Sequence, residues 1–253
     1  MQFADIIGQK ETKQQLAELV QHNRLSHALL FLGKEGSGSL SLAIAFAQYV
    51  VCEKVNGGKS GVGSQESGPS LFGEPENSNV EPPTLNDSCG VCPACQKAQQ
   101  LIHPDIHFSY PTVTKKPGEK PVATDFITDW REFVKLSPYG NSYDWIEQIK
   151  EKENSQGKIT AEECNDIIRK LSLKSFESVY KILIMWMPEM LGTEGNKLLK
   201  LIEEPPPNTL FILVTENEAQ VLQTIVSRCQ LVKIPSLETS EIEEALISRN
   251  KTE

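Results

Sequence analysis

The chain has 253 residues, 39% hydrophobic and 23% charged, enough for one large α/β domain or two smaller ones. Its 34 acidic and 25 basic side chains give a net charge of −9, which excludes a free-standing nucleic-acid binder of the basic kind but not a subunit that meets DNA inside an assembly. No stretch approaches the roughly 18 apolar residues of a membrane span, and Met1 leads into Phe3-Ala4-Asp5-Ile6-Ile7-Gly8 without a basic start or long apolar core, so a cytoplasmic chain is expected.

Residues 9–23 predict an amphipathic helix with Leu16, Leu19 and Val20 on one face. An apolar run over 28–32 predicts a core strand, and residues 40–51 predict a helix apolar nearly all round, hence interior. Between them lies Gly33-Lys34-Glu35-Gly36-Ser37-Gly38-Ser39-Leu40. Strand, glycine loop and helix follow the order of a phosphate-binding loop, whose pattern G-x-x-x-x-G-K-[ST] needs a lysine for the phosphates and a hydroxyl for magnesium. Gly33 and Gly38 are in place, but Ser39 stands where the lysine belongs and Leu40 where the hydroxyl belongs. Lys34 falls five positions before the expected lysine and is not a replacement for it.

Residues 56–88, rich in Gly, Ser, Pro, Asn and Glu, predict a disordered or mobile insertion. Cys89-Gly90-Val91-Cys92-Pro93-Ala94-Cys95 then leads into a helix ending at Ile102. His103-Pro104-Asp105-Ile106-His107-Phe108 predicts a short strand after a turn, with His103 and His107 at the surface or in the turn. A second insertion, residues 112–158, predicts helices over 124–134 and 143–153, packed as a lid or a hairpin. Thr160-Ala161-Glu162-Glu163 reads as a capping box in which Glu163 reaches back, opening a helix with Cys164, Ile167, Ile168 and Leu171 on its apolar face. The apolar run 180–187 suits a parallel strand covered on both faces. A helix over 193–204 stops before Pro205-Pro206-Pro207. Strands over 209–215 and 231–234, a short helix over 222–228 and a helix opening at Ser240 complete the chain. The alternation predicts an α/β fold, a parallel sheet flanked by helices.

Three clusters carry chemistry. A nucleotide hydrolase of this layout ends its second core strand in Asp and Glu; here the strand ends in Trp186-Met187-Pro188, read as packing residues, and Glu189 comes two positions late. Cys52, Cys89, Cys92 and Cys95 offer four thiols for a closed tetrahedral zinc site, with unligated thiols or an iron–sulfur cluster as the alternatives. The 36 residues between Cys52 and Cys89 weaken that site little, because closure entropy grows only logarithmically with loop length. Six cysteines in a reducing compartment are metal ligands or buried thiols, and Cys164 and Cys229 are read as core. Arg228, in Ser227-Arg228-Cys229, is a surface charge or an arginine finger reaching a neighbour's nucleotide.

The motifs Phe3-Ala4-Asp5-Ile6-Ile7-Gly8-Gln9, Leu25-Ser26-His27-Ala28-Leu29-Leu30-Phe31, the Cys-x2-Cys-x2-Cys run, Asn196-Lys197-Leu198-Leu199-Lys200-Leu201-Ile202-Glu203-Glu204-Pro205-Pro206 and Thr224-Ile225-Val226-Ser227-Arg228-Cys229 resemble the AAA+ clamp-loader subunits of bacterial DNA polymerase III. The lost lysine and acids resemble the family's non-ATPase, delta-prime branch. The resemblance covers most of residues 1–110 and 159–247. It implies a P-loop NTPase-like AAA+ domain over 1–235, containing a zinc module at 52–95, and the start of a helical lid at 236–253, with the collar domain lying beyond. It further implies a stator that helps load the sliding clamp onto primed DNA during replication, an accessory subunit of the DNA-directed polymerase holoenzyme. The implied partners are the gamma/tau ATPase subunits, the delta subunit, and the clamp and DNA through the complex. On this reading Arg228 is a finger in trans, Thr215 holds the sensor-1 position, zinc sits on the four cysteines, and no nucleotide is turned over at Gly33, Gly36, Gly38, Ser39 and Leu40. Two rivals stay open: an active gamma/tau-type ATPase with a variant loop, and a zinc-dependent interaction module.

Overall fold

A computed structural model describes residues 1–56, 86–115, 118, 120–151 and 155–250. The mobile insertion expected over 56–88 therefore falls almost wholly outside the described residues. Five apolar runs form one sheet: β1 (Ala28–Gly33), β2 (Ile106–Ser109), β3 (Lys181–Trp186), β4 (Thr209–Thr215) and β5 (Gln230–Ile234). Their order is β2-β3-β4-β1-β5 and every pairing is parallel. β3 and β4 are buried along their whole length, as strands covered on both faces must be. Alternation divides their side chains between two cores: Ile182, Ile184 and Trp186 on one face, Leu183 and Met185 on the other. The register sets Leu32 beside Thr215 and Trp186 beside Val214, so the ends of β1, β3 and β4 share one edge.

On the first face lie α1 (Lys10–Gln21), α2 (Ser39–Val51) and α3 (Pro93–Gln99), joined by α4 (Ile127–Leu136) and α5 (Ser142–Ile149). All 13 residues of α2 are buried. On the second face lie α6 (Ala161–Ser172), α7 (Leu199–Glu203) and α8 (Gln223–Val226), and α9 (Thr239–Asn250) follows β5.

Four expectations need correction. The second insertion is neither a lid nor a separate hairpin: its Trp130, Phe133 and Trp145 join the main core. Trp130 stacks on Tyr110 with ring centroids 4.0 Å apart and meets Trp186 at 5.5 Å, while Trp145 donates to the Pro111 carbonyl at 2.7 Å. Three aromatic side chains bury more apolar surface than a polar loop can, which draws the segment inward. Glu163 does not complete a capping box. Thr160 Oγ1 accepts from the Glu163 N–H at 3.1 Å, but the buried Glu163 carboxylate turns to the Ala123 N–H at 2.7 Å.

His103 is buried rather than a surface residue: its Nδ1 accepts from the Asp105 N–H at 3.2 Å and its Nε2 lies 3.3 Å from Glu177. The loop preceding β3 packs over it, because Asp105 accepts the N–H groups of Phe176, Glu177 and Ser178. The helix expected over 193–204 is a 3-10 segment, Pro188–Leu198, broken at Gly192 (φ 53°, ψ −140°) and followed by the short α7. The α2, β3, β4 and β5 segments lie within one or two residues of expectation. Cys164 is buried as expected, whereas Cys229 is half-buried.

Candidate functional site at the carboxyl edge of the sheet

The glycine loop leaves the end of β1 at that edge. Gly36 (φ +75°) and Gly38 (φ +78°) take left-handed backbone, and the Gly38 carbonyl accepts from the Leu42 N–H at 2.8 Å, starting α2. The backbone thus makes a strand-to-helix turn with α2 directly behind it. Ser39 and Leu40, at the positions where lysine and hydroxyl were expected, are buried, and Lys34 is exposed.

The loop is covered by its own chain. A Cβ at Gly38 would stand 2.6 Å from the ring of Tyr139. The Tyr139 hydroxyl accepts from the Ile7 N–H at 2.8 Å, Ser41 Oγ donates to the Pro138 carbonyl, and Asn141 Nδ2 donates to Glu35 Oε1 at 2.5 Å. Residues 138–141, from the turn between α4 and α5, thereby bridge the loop, α2 and the N-terminal segment. A groove of ≈ 870 Å³ opens elsewhere, between α1, β5 and the start of α9, and none of residues 33–40 lines it.

Acidic side chains flank the covered loop. Glu189 Oε1 accepts from the Glu216 N–H at 3.3 Å, and burial raises the carboxyl pKa of Glu189 despite a hydrogen bond with Thr215. Burial, then the nearby charges of Glu189 and Glu35, raises that of Glu216 as well. Thr215 itself is buried and accepts from the Asn217 N–H at 3.2 Å, so it serves the β4 turn and Glu189. Trp186 and Met187 are buried, as read from the sequence.

The cysteines come together. The sulfurs of Cys52, Cys89, Cys92 and Cys95 all lie within 4.8 Å of one another. Cys89 Sγ and Cys95 Sγ are 3.9 Å apart. Four thiolates around a tetrahedral Zn²⁺ at ~2.3 Å would stand ~3.8 Å apart. The N–H groups of Cys89, Cys92 and Cys95 point at the sulfurs of Cys52, Cys89 and Cys92, each at 3.4 Å, which is how thiolate charge is steadied from outside a metal's ligand shell. The bonded Cys95 thiol holds that of Cys52 down to about 4, the Cys52 contact pushes that of Cys95 up, and burial pushes up that of Cys92. The turn is seated on the N-terminus, where Asp87 accepts from Phe3 N and Ala4 N at 3.0 Å each.

Arg228 stands just past α8, remote in sequence from the loop and exposed enough to meet solvent. With Ser227, Glu203, Ile202 and His27 it lines an open cleft of ≈ 480 Å³. The sequence reading missed Tyr139, Asn141 and Ser41 over the loop and Glu203 beside Arg228. The only signal for Glu203 was the Glu-Glu-Pro-Pro run, and for Tyr139 there was none.

A parallel five-stranded α/β sheet, with a glycine-rich turn at the carboxyl end of a central strand, defines the general class. Within it the chain belongs to the family described as DNA polymerase III, delta subunit, whose model matches residues 8–70 and 58–238. DNA polymerase III subunit delta' of Bacillus subtilis (strain 168) is 26% identical over 231 residues, 91% of this chain and 49% of that protein. The delta' subunit of Escherichia coli (strain K12) is 23% identical over 221 residues, 86% of this chain and 45% of its own length. DNA polymerase III subunit tau of Bacillus subtilis (strain 168) is 26% identical over 229 residues, 90% of this chain and 28% of that protein. The chain thus spans about half the length of the delta' relatives it matches. Among the described residues no helix is long and apolar enough to cross a membrane.

Proposed function

We propose that this chain is a delta-prime-type clamp-loader subunit that does not turn over nucleotide and lends Arg228 to a neighbouring ATPase subunit. The observation that carries the reading is a contrast within one molecule. Its own glycine loop lies under Tyr139, without a lysine at 39 or a hydroxyl at 40, while an arginine near the amino ends of β1 and β5 stands in an open cleft. Carboxylates at Glu35, Glu189 and Glu216 add to the case, because they oppose a triphosphate at the loop. The loop is thus read as a degenerate P-loop in an AAA+ domain, and α9 as the opening of a helical lid.

In this role the subunit is a rigid wall of a ring containing gamma/tau and delta subunits, which opens the clamp and closes it on primed DNA. An arginine supplied in trans stabilises the charge that builds on the transferred phosphoryl group. Arg228→Ala in a reconstituted loader is expected to lower clamp- and DNA-stimulated ATP hydrolysis about tenfold or more while the complex still assembles. An unchanged rate, or steady ATP turnover by this subunit in isolation, would remove the reading.

For the cysteines we propose structural Zn²⁺ held by Cys52, Cys89, Cys92 and Cys95. The sulfur spacing and the donated N–H groups support it, and a closed four-thiolate site leaves no position for catalysis. Elemental analysis of protein purified without chelator is expected to give about one zinc per chain, falling to background in Cys95→Ser. A metal-free protein with full stability would leave the four as plain buried thiols.

A further inference from the structure

Both terminal nitrogens of Arg228 are already engaged by its own chain. Nη1 donates to the Thr224 carbonyl at 2.6 Å and lies 3.4 Å from Ser227 Oγ. Nη2 is paired with the carboxylate of Glu203. Thr224 belongs to α8 and Glu203 is the last residue of α7, so the guanidinium joins the ends of two helices at the mouth of the ≈ 480 Å³ cleft. Arginine recognises phosphate by presenting two parallel N–H groups to two oxygens. While Glu203 holds Nη2, that presentation cannot be made.

We infer that Glu203 is a latch on Arg228, holding the guanidinium against its own subunit until the charge that builds on a neighbour's nucleotide polyphosphate in the transition state takes the carboxylate's place. The inference rests on the reading of Arg228 as a finger, and it assigns a positioning role to a residue of the Glu-Glu-Pro-Pro run. Three observations fit an exchangeable latch better than a structural salt bridge. The pair is open to water, with Arg228 33% and Glu203 44% exposed, so its hold is weak and easily surrendered. Glu203 brings a single negative charge, which a polyphosphate outweighs. Finally, the remaining contacts of the guanidinium, with the Thr224 carbonyl and Ser227 Oγ, also lie at the surface, so release of Glu203 leaves both terminal nitrogens able to turn outward.

The test is steady-state ATP hydrolysis by the intact subunit reconstituted with its tau ATPase partner, clamp and primed DNA. Glu203→Gln keeps the side-chain shape and removes the charge. It is expected to raise kcat about two- to fivefold, the factor an exposed ion pair is worth, with KM for ATP unchanged, because the released contact acts only in the transition state. Glu203→Asp is expected to restore the original rate. In an Arg228→Ala background, Glu203→Gln is expected to change nothing. A fall in kcat, no change, or a rise that persists without Arg228 overturns the latch. Its failure is separable from failure of the finger: a loader slowed by Arg228→Ala but indifferent to Glu203→Gln keeps the finger and discards the latch, whereas one indifferent to Arg228→Ala discards both.

Discussion

The glycine loop and the Arg228 cleft are two polar sites built on one sheet and treated in opposite ways. At the loop the chain spends hydrogen bonds from Ile7, Ser41 and Asn141, and the ring of Tyr139, to cover a backbone turn that other proteins leave open for phosphate. At the cleft it leaves an arginine at the surface, with contacts that exchange readily with water. The contrast teaches that the two regions answer to different demands. The covered loop is part of what holds the fold together, because the segment over it is rooted in the aromatic core. The half-exposed arginine is held by surface contacts that add little to the fold.

The difference is open to attack by mutation, first at the root of the cover. Trp145→Ala removes a fully buried side chain that meets Trp130, Tyr110 and Phe133, and is expected to cost about 3–5 kcal/mol in urea unfolding. A cost below 1 kcal/mol would mean that the second insertion is an appendage and that the loop is stable without it.

A smaller effect should come from His107 on β2, which touches neither region and serves as a reference. Burial, aided by Lys170, holds its pKa at about 4, below the ordinary 6.5. The folded chain thus binds this proton less readily than the unfolded chain. Its contribution to stability is complete above pH 6.5 and is lost as the pH falls from 6.5 towards 4. Allowing for its partial exposure, the loss is about 1–2 kcal/mol. Glu163, Glu189 and Glu216, raised by burial, work in the opposite sense on acidification, so the difference between wild type and His107→Gln isolates the histidine. Parallel stability–pH curves for the two proteins would refute the assignment.

Tyr139→Phe leaves the ring over Gly38 but takes away the acceptor for the Ile7 N–H, at an expected cost of about 1 kcal/mol. Arg228→Ala should be the mildest change of all in the isolated chain, within about 0.5 kcal/mol, the range usual for surface substitutions. If Arg228→Ala proved more destabilising than Tyr139→Phe, the contrast between a loop that supports the fold and a cleft that does not would be reversed.

Much of the fold was legible because it depends on local patterns. The runs 181–186 and 209–215 are apolar throughout except at Lys181, Thr209 and Thr215, and buried parallel strands require that. The glycine loop announced itself through spacing, and the cysteines through residue type. What could not be read depends on contacts between distant parts of the chain. Tyr139 meets Ile7 across 132 residues, and no periodicity encodes such a pairing. Glu163 had the right spacing for a capping box, but the buried Ala123 N–H competed for its carboxylate. His103 looked like a turn residue until the loop held by Asp105 closed over it.

The burial of α2 has a consequence for redesign of the loop. Ser39 and Leu40 open a helix with no solvent-facing side, beneath a tyrosine contributed from 100 residues away. Installing nucleotide hydrolysis in this chain would take lysine and a hydroxyl at the loop, acids at the end of β3, and removal of the segment above, and the first two would have to fit at the buried start of a helix. Each of these changes presses on the packed core, so they would have to be made together.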